Sequence, residues 1–156
     1  MEIVEENDKV IVAKYENCKI YMHLTDFLGI KKKYLHFQFD DNRIIYLKSF
    51  ECDMQQRKKG NGRILLGLML EYIKNTRFKS ENIFVSLVVA GNNRIDESGI
   101  VIKSDDTKLV QYYNKLGFSL INNDIDIMIG RLPIILIKCT SYSAGKTSRR
   151  RRLQRK

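Results

Sequence analysis

A basic segment with two glycines lies between a predicted strand and a long apolar stretch. It consists of Arg57-Lys58-Lys59-Gly60-Asn61-Gly62-Arg63. The first four amides of a helix have no intrahelical acceptor, and the helix dipole favours negative charge at that end. Glycines allow the backbone to approach a phosphate closely, and Arg and Lys add positive charge. The segment therefore predicts an anion-binding loop, although a solvated turn before a helix fits the same residues.

A second segment has the pattern of an amphipathic helix that ends at a glycine. It consists of Leu109-Val110-Gln111-Tyr112-Tyr113-Asn114-Lys115-Leu116-Gly117-Phe118. Gly117 is typical of the left-handed residue that follows the last turn of a helix. Taken alone, this segment indicates only a surface helix and its C-terminal cap.

Together, the two segments resemble the GCN5-related N-acetyltransferase family. The first is similar to that family's pyrophosphate-loop signature: Arg or Gln, two residues, Gly, any residue, then Gly or Ala. The second is similar to the family's helix that ends in Tyr, three residues, Gly-Phe. Both occur in the family's order, and the resemblance covers roughly residues 34 to 138. It implies an acetyl-CoA-dependent N-acetyltransferase, in which a primary amine attacks the thioester directly in a ternary complex.

The resemblance also implies roles for individual residues. Backbone groups of Cys52 and Met54 would contact the pantetheine arm and the acetyl carbonyl. The pyrophosphate of coenzyme A would be held by Arg57, Lys58, Lys59, Gly60, Asn61, Gly62 and Arg63. Tyr113 would protonate the departing thiolate, because a phenol with a pKa of about 10 can donate to a thiolate whose conjugate acid has a pKa of about 8.5. The implied donor substrate is acetyl-CoA, and no metal is implied.

The sequence leaves the general base open. Glu51 and Asp53 lie on the strand that enters the loop, where a carboxylate could accept a proton from the amine. A solvated or salt-bridged carboxylate fits each of them equally. His36 lies on a predicted hairpin strand and fits a structural histidine. Cys52 has no histidine near it in sequence, so backbone contact is preferred to a nucleophilic role.

Two departures from the family's pattern keep an alternative function open. Leu109 stands at a position that usually holds a small residue, and Asp106 replaces a hydrogen-bonding amide. The alternative is a non-catalytic acetyl-CoA-binding or nucleic-acid-binding module with the same fold.

The spacing of apolar residues predicts the elements that must position these residues, and it changes from strand-like to mainly helical along the chain. Two hairpins and a helical turn are predicted first, with strands Val10 to Ala13, Cys18 to Leu24, Tyr34 to Phe39 and Ile44 to Phe50, and the turn over Thr25 to Ile30. The second half predicts helices Gly62 to Asn75 and Asp106 to Leu116, and strands Ile83 to Val89, Ser119 to Asn122 and Ile125 to Ile137. Pro133 inside the last strand implies an edge or a bulge. The order predicts an α+β fold with a mixed, mainly antiparallel sheet flanked by helices.

The length and composition are those of a single folded domain. The 156 residues have a mass of 18.3 kDa, with 44% apolar and 29% charged residues. This composition supplies an ordinary core and excludes wholesale disorder. We expect one acetyltransferase-like domain over residues 1–138 and a separate tail over residues 139–156.

Most of the net charge of +10 belongs to that tail. Seven of the 28 Lys and Arg residues follow Lys138 with no acid among them, which leaves 21 basic against 18 acidic residues elsewhere. Such a segment buries too little apolar area to offset the entropy of ordering, so we predict that it is disordered. A nuclear-import signal, an electrostatic contact with nucleic acid and a solvated extension all stay open.

Cysteine spacing and hydropathy bear on the compartment and the partners. The cysteines, at 18, 52 and 139, share no CxxC or CxxH spacing, so neither a structural zinc site nor a disulfide is expected. No apolar window is long enough to span a membrane, and the acidic N-terminal residues do not fit a signal peptide. A cytoplasmic or nuclear location is predicted. Expected partners are an amine acceptor, either protein or small molecule, and nucleic acid through the tail; no membrane is expected, and a homodimer stays open.

Overall fold

The computed structural model describes residues 1–33, 42–52, 60–79, 81–89, 107–122 and 125–140. The strands are β1 Glu2–Glu6, β2 Val10–Tyr15, β3 Cys18–His23, β4 Asn42–Cys52, β5 Asn82–Val88, β6 Ser119–Leu120 and β7 Ile127–Arg131. The helices are α1 Ile30–Lys33, α2 Asn61–Thr76, α3 Thr107–Lys115 and α4 over residues 132–140. These elements form a mixed α+β fold, as the sequence predicts. Among the described residues, no helix is long and apolar enough to cross a membrane.

The seven strands form one sheet, in which all neighbours are antiparallel except β4 and β5. The strand order is β1-β2-β3-β4-β5-β7-β6. Helix α2 makes the crossover that a parallel pair such as β4 and β5 requires. Their paired register runs from Asn42 opposite Asn82 to Leu47 opposite Leu87, whereas β4 continues to Cys52. The last part of β4, which leads towards α2, therefore lies beyond its pairing with β5.

The main hydrophobic core lies between one face of the sheet and helices α2 and α4. Helix α2 contributes Leu65, Leu66, Met69, Leu70 and Ile73, all fully buried, and α4 contributes Leu132, Ile135 and Cys139. The wide apolar stripe of α2 is the one that the sequence predicts. The two helices approach closely at Gly67, where a Cβ atom would lie 3.2 Å from Cβ of Cys139.

Further residues are buried outside that core. They are Val10, Val12, Ile30, Ile44 and Tyr46. The central strands thus have buried side chains outside the α2 layer as well as against it.

The predicted strand from Ile125 to Ile137 is wrong beyond Arg131. Strand β7 ends there, and the chain continues directly into α4. Pro133 is the second residue of that helix, where proline sacrifices no intrahelical hydrogen bond. The apolar residues that follow recur at helical spacing and reach the core, so burial against α2 favours a helix over an extended strand.

Smaller differences affect the first half of the chain. Helix α1 begins at Ile30, later than the predicted turn, and the Asp26 carboxylate accepts hydrogen bonds from the amides of Ile30 and Lys31 at 2.9 and 3.0 Å. Strand β1 was not predicted, because its acidic residues show no strand pattern. It is held by Glu6, which accepts hydrogen bonds from the Tyr72 hydroxyl at 2.7 Å and from Arg77 at 2.8 Å. The predicted strand Tyr34 to Phe39 and the tail beyond residue 140 lie outside the described residues.

Candidate functional site

Helix α2 begins at a left-handed glycine. Its N-cap is Gly60, with φ 75° and ψ 11°, which has no side chain with which to cap the amides of the first turn. A residue with a Cβ atom would be strained in this conformation. The carbonyl of Gly60 accepts the hydrogen bond of the Ile64 amide at 3.1 Å, and the first turn contains no acidic residue. The positive end of the α2 dipole therefore has no carboxylate from its own first turn.

Arg63 adds a full positive charge at the same place. Although it is charged, it is only 9% exposed. Its guanidinium folds back over the start of the helix, since Nη2 lies 3.0 Å from the point where a Cβ atom of Gly60 would sit. Arg63 also affects Cys139 on α4, whose thiol pKa is raised to about 11 by burial while the Arg63 charge opposes that rise. A buried cation beside a helix N-terminus is the arrangement that an anion would neutralise.

Gly62 fits closely against the end of β4. A Cβ atom at this position would lie 3.0 Å from Sγ of Cys52 and 3.0 Å from Cζ of Phe50. Both of those residues also pack against the core. The end of β4 therefore lies directly against the first turn of α2.

Cys52 forms a disulfide with Cys18, so the expectation of no disulfide is wrong. The two residues are 34 apart in sequence and lie directly opposite each other on β4 and β3. The register of the two strands, rather than any short spacing, brings them together. In the turn before Cys18, Asn17 accepts a hydrogen bond from Nδ2 of Asn61 at 3.1 Å. The disulfide, this turn and the start of α2 thus form one contact region.

Tyr113 is positioned by the way in which α3 ends. The Phe118 amide donates to the Tyr113 carbonyl at 3.0 Å, and the Gly117 amide donates to the Asn114 carbonyl at 3.1 Å. With φ of 100° at Gly117, these bonds are those of a Schellman motif. The ring of Phe118 meets that of Tyr113 edge-on, with centroids 5.7 Å apart. The spacing Tyr, three residues, Gly-Phe therefore satisfies the requirements of a helix cap, whatever chemistry Tyr113 performs.

The phenol of Tyr113 stays protonated near neutral pH. Burial raises its pKa well above the usual range, and the neighbouring Tyr112 raises it further. Its ring packs against the core. Tyr113 is therefore present as the phenol, which can donate a hydrogen bond but is a weaker acid than an exposed tyrosine.

Apart from Tyr113, the predicted site residues fall into three groups. The structure brings together Cys52, Gly60, Asn61, Gly62 and Arg63 at the junction of β4 and α2. Glu51 is exposed, lies opposite Lys19, and faces away from Phe50 and Cys52 because side chains alternate along a strand. The remaining predicted residues lie outside the described residues; they are His36, Asp53, Met54, Arg57, Lys58 and Lys59.

His23 is a candidate base that the sequence did not reveal. Its ring stacks on Phe27 and Tyr46, with centroids 4.7 and 6.0 Å away. Its Nε2 atom is buried and has no hydrogen-bond partner among the described residues. Burial lowers the pKa of His23, and the charge of Lys48 lowers it further, so the neutral imidazole is favoured. The only sequence signal is a histidine within a predicted strand, which does not separate this environment from an ordinary one.

No metal site is found within the part of the chain that the structure describes. There, no group of three or more His, Cys, Asp or Glu side chains could hold an ion. The start of α2 combines backbone amides with the Arg63 guanidinium, and both kinds of group favour a bound anion.

Comparisons with known proteins provide no family for this chain. No family model matches it, and neither does any curated protein. Among solved structures, it is similar to the crystal structure of the KacTA–DNA complex, at 12% identity over 83% of this chain and 72% of that chain, with a TM-score of 0.47. It is also similar to the crystal structure of a KacT mutant, at 13% identity over 81% of this chain and 71% of that chain, with a TM-score of 0.45. At these TM-scores the likenesses carry no argument, and function must be inferred from the site.

Proposed function

We propose that this chain is an acetyl-CoA-dependent N-acetyltransferase of the GCN5-related type, with the coenzyme A pyrophosphate bound at the N-terminus of α2. The observation that carries the proposal is the start of that helix. It combines the left-handed Gly60, a first turn with no acid, and the buried guanidinium of Arg63. The positive end of the helix dipole and the guanidinium both favour a bound diphosphate.

The first-turn amides and Arg63 would share the pyrophosphate oxygens. Amides of Asn61, Gly62 and Arg63 point out of the start of the helix, as in any α-helix. Hydrogen bonds from a guanidinium to a phosphate are charge-assisted and roughly twice as strong as neutral ones. Because Gly62 is packed against β4, the anion would approach along the helix axis rather than from the sheet side.

The end of β4 would hold the pantetheine arm. One edge of this strand is paired with β3 as far as Cys52, whereas its pairing with β5 ends at Leu47. The amide groups of pantetheine could therefore pair with the β5-facing edge as a short additional strand would. This would carry the thioester away from the start of α2 along the sheet.

In the reaction, the neutral amine would attack the thioester carbonyl while the bond between carbon and sulfur breaks. Tyr113 would give its proton to the departing thiolate, although its raised pKa makes this transfer less favourable than from a free phenol. The proton lost by the amine needs an acceptor, and the candidates are Glu51, Asp53 and the neutral imidazole of His23.

A non-catalytic acetyl-CoA-binding module is the second candidate. Glu51 favours it, because this carboxylate faces the side of β4 opposite to Phe50 and Cys52. Release of free thiol from acetyl-CoA separates the two functions, with a polyamine, a lysine peptide and an N-terminal peptide as acceptors. An enzyme releases thiol steadily with one of these acceptors, whereas a binding module shows only saturable binding.

Binding itself is tested by calorimetry with acetyl-CoA and with acetyl-pantetheine, which lacks the pyrophosphate. We expect acetyl-CoA to bind and acetyl-pantetheine to bind far more weakly, because only the former has an anion for the start of α2. Equal affinity for the two compounds would contradict the proposed pyrophosphate site, and no binding of acetyl-CoA at millimolar concentration would contradict the function.

A further inference from the structure

The disulfide lies against the helix turn to which the pyrophosphate site is assigned. Sγ of Cys52 is 3.0 Å from the point where a Cβ atom of Gly62 would sit, which is closer than ordinary van der Waals contact. Beside Cys18, Asn17 accepts a hydrogen bond from the side chain of Asn61, the first residue of α2. Both cysteines are therefore linked to the first turn of α2, one by packing and one through its neighbour in sequence.

Breaking this bond would leave the sheet in place. Strands β3 and β4 are paired in register from Cys18 opposite Cys52 to His23 opposite Tyr46. The backbone hydrogen bonds of that ladder do not depend on the sulfur bridge. Cys18 is buried, whereas Cys52 is partly exposed, so an external thiolate would reach the Cys52 sulfur first. Reduction of the disulfide would therefore change the structure locally and leave the pairing of β3 and β4 in place.

We propose that Cys18 and Cys52 form a reversible redox site, and that the disulfide form binds coenzyme A more tightly than the dithiol form. This inference rests on the proposed function, because the ligand is the one assigned to α2. Cys52 is partly exposed, and exposed disulfides are the more easily reduced ones, so its position favours a reversible bond over a permanent one.

The physical cause is the space that two separate sulfurs need. Sulfur atoms that are no longer bonded must move apart to van der Waals distance. Sγ of Cys52 lies so near Gly62 that not even a Cβ atom would fit between them. A displacement of this sulfur towards Gly62 would therefore shift the first turn of α2 or the end of β4. Either movement disturbs the amides and the Arg63 guanidinium that would hold the pyrophosphate.

The reductant belongs to the chemical class of dithiols. Its thiolate attacks the Cys52 sulfur, the sulfur–sulfur bond breaks, and Cys18 leaves as a thiolate that takes up a proton. The second thiol of the reductant then releases Cys52 and closes the reductant's own disulfide. In total, two electrons and two protons pass from the dithiol to the cysteine pair.

Thermodynamic linkage makes the effect reciprocal. If reduction weakens coenzyme A binding by some factor, bound coenzyme A must oppose reduction by the same factor. A bond that only stabilises the fold would not show this second effect.

The test measures the affinity of the full chain for desulfo-coenzyme A, which has no thiol to exchange, before and after treatment with dithiothreitol. Alkylation under denaturing conditions should find one thiol before reduction, from Cys139, and three afterwards. We expect reduction to weaken binding about fivefold or more. Saturating desulfo-coenzyme A should raise the ratio of reduced to oxidised dithiothreitol at which half of the protein is reduced, and by the same factor.

Two variants serve as controls. The double variant Cys18→Ser/Cys52→Ser should have the weaker affinity under both conditions, whereas Cys139→Ser should keep the full dependence on dithiothreitol. Since the main comparison uses the unaltered chain, it does not depend on the folding of either variant.

Three outcomes would overturn the proposal, and they are distinguishable. Equal affinity of the two redox states for desulfo-coenzyme A would contradict the proposed redox site and leave the proposed function intact. Three alkylated thiols after incubation with oxidised glutathione would show that the disulfide does not form. No binding to either form would overturn the proposed function and this inference together.

Discussion

Loss of the disulfide should lower the free energy of unfolding by an amount that depends on the number of residues between Cys18 and Cys52. The bond joins residues 34 apart in sequence. A cross-link that closes a loop of this length removes unfolded-chain entropy worth about 3.8 kcal/mol at 25 °C. For a chain of this size, that corresponds to a decrease in melting temperature of about 8–15 °C.

The assay is thermal denaturation of the unaltered chain with and without dithiothreitol, followed by circular dichroism. The double variant Cys18→Ser/Cys52→Ser is the matched control, because dithiothreitol should leave its melting temperature unchanged. If reduction shifts the melting temperature of the unaltered chain by less than about 2 °C, the reasoning from chain entropy is refuted.

Three further predictions concern α3, the partly buried His23 and the candidate acid. Gly117→Ala should lower the free energy of unfolding by about 1–2 kcal/mol, because a Cβ atom is unfavourable at positive φ, and an unchanged urea midpoint would contradict the Schellman cap. The lowered pKa of His23 means that the unfolded chain takes up its proton more readily, so stability should fall as the pH decreases below about 6.5. His23→Gln should reduce this fall in urea titrations at pH 7 and pH 5.5, and an identical pH dependence would argue against the buried imidazole. Tyr113→Phe should lower the rate of thiol release by roughly 10²- to 10⁴-fold while acetyl-CoA affinity stays nearly unchanged. An unaffected rate would mean that the thiolate takes its proton from another group.

The sequence predicts best those elements whose burial pattern is local. Helix α2 and strand β5 were predicted within one or two residues, because their apolar residues repeat with the period of one element against one core. The left-handed cap at Gly117 was likewise predicted, since a glycine after an amphipathic stretch has few other roles.

The sequence fails where the deciding contact comes from a distant part of the chain. The sequence predicts a strand after Arg131, whereas the stretch forms a helix that buries Leu132, Ile135 and Cys139 in the core. The Cys18–Cys52 disulfide depends on the register of two strands, which no spacing between cysteines encodes. The burial of His23 depends on rings from its own strand, the following turn and β4.

In the candidate site, too, the sequence predicts local features and misses contacts between distant parts of the chain. The glycine and arginine pattern from Gly60 to Arg63 predicted an anion site, and the structure places an uncapped helix start and a buried guanidinium there. The sequence does not reveal that Gly62 also fits closely against Phe50 and Cys52, because this is a tertiary contact. The pairing of Tyr113 with Gly117 and Phe118 is explained by helix capping, so this motif alone carries less information about catalysis than the resemblance implies.

The central claim is that the start of α2 binds the pyrophosphate of coenzyme A, and one pair of matched variants tests it directly. Asn61→Asp adds a negative charge at the first residue of α2, and Asn75→Asp adds the same charge near the other end of the same helix. An acid in the first turn is favourable to the helix dipole and offsets the lost hydrogen bond to Asn17, so the melting temperature of Asn61→Asp should change little.

The measurement is the dissociation constant of acetyl-CoA for the unaltered chain and for both variants, by calorimetry at low salt. We predict at least about tenfold weaker binding for Asn61→Asp, because its carboxylate would repel the diphosphate at close range. Asn75→Asp should bind as tightly as the unaltered chain. Equal affinities for all three proteins would contradict the account.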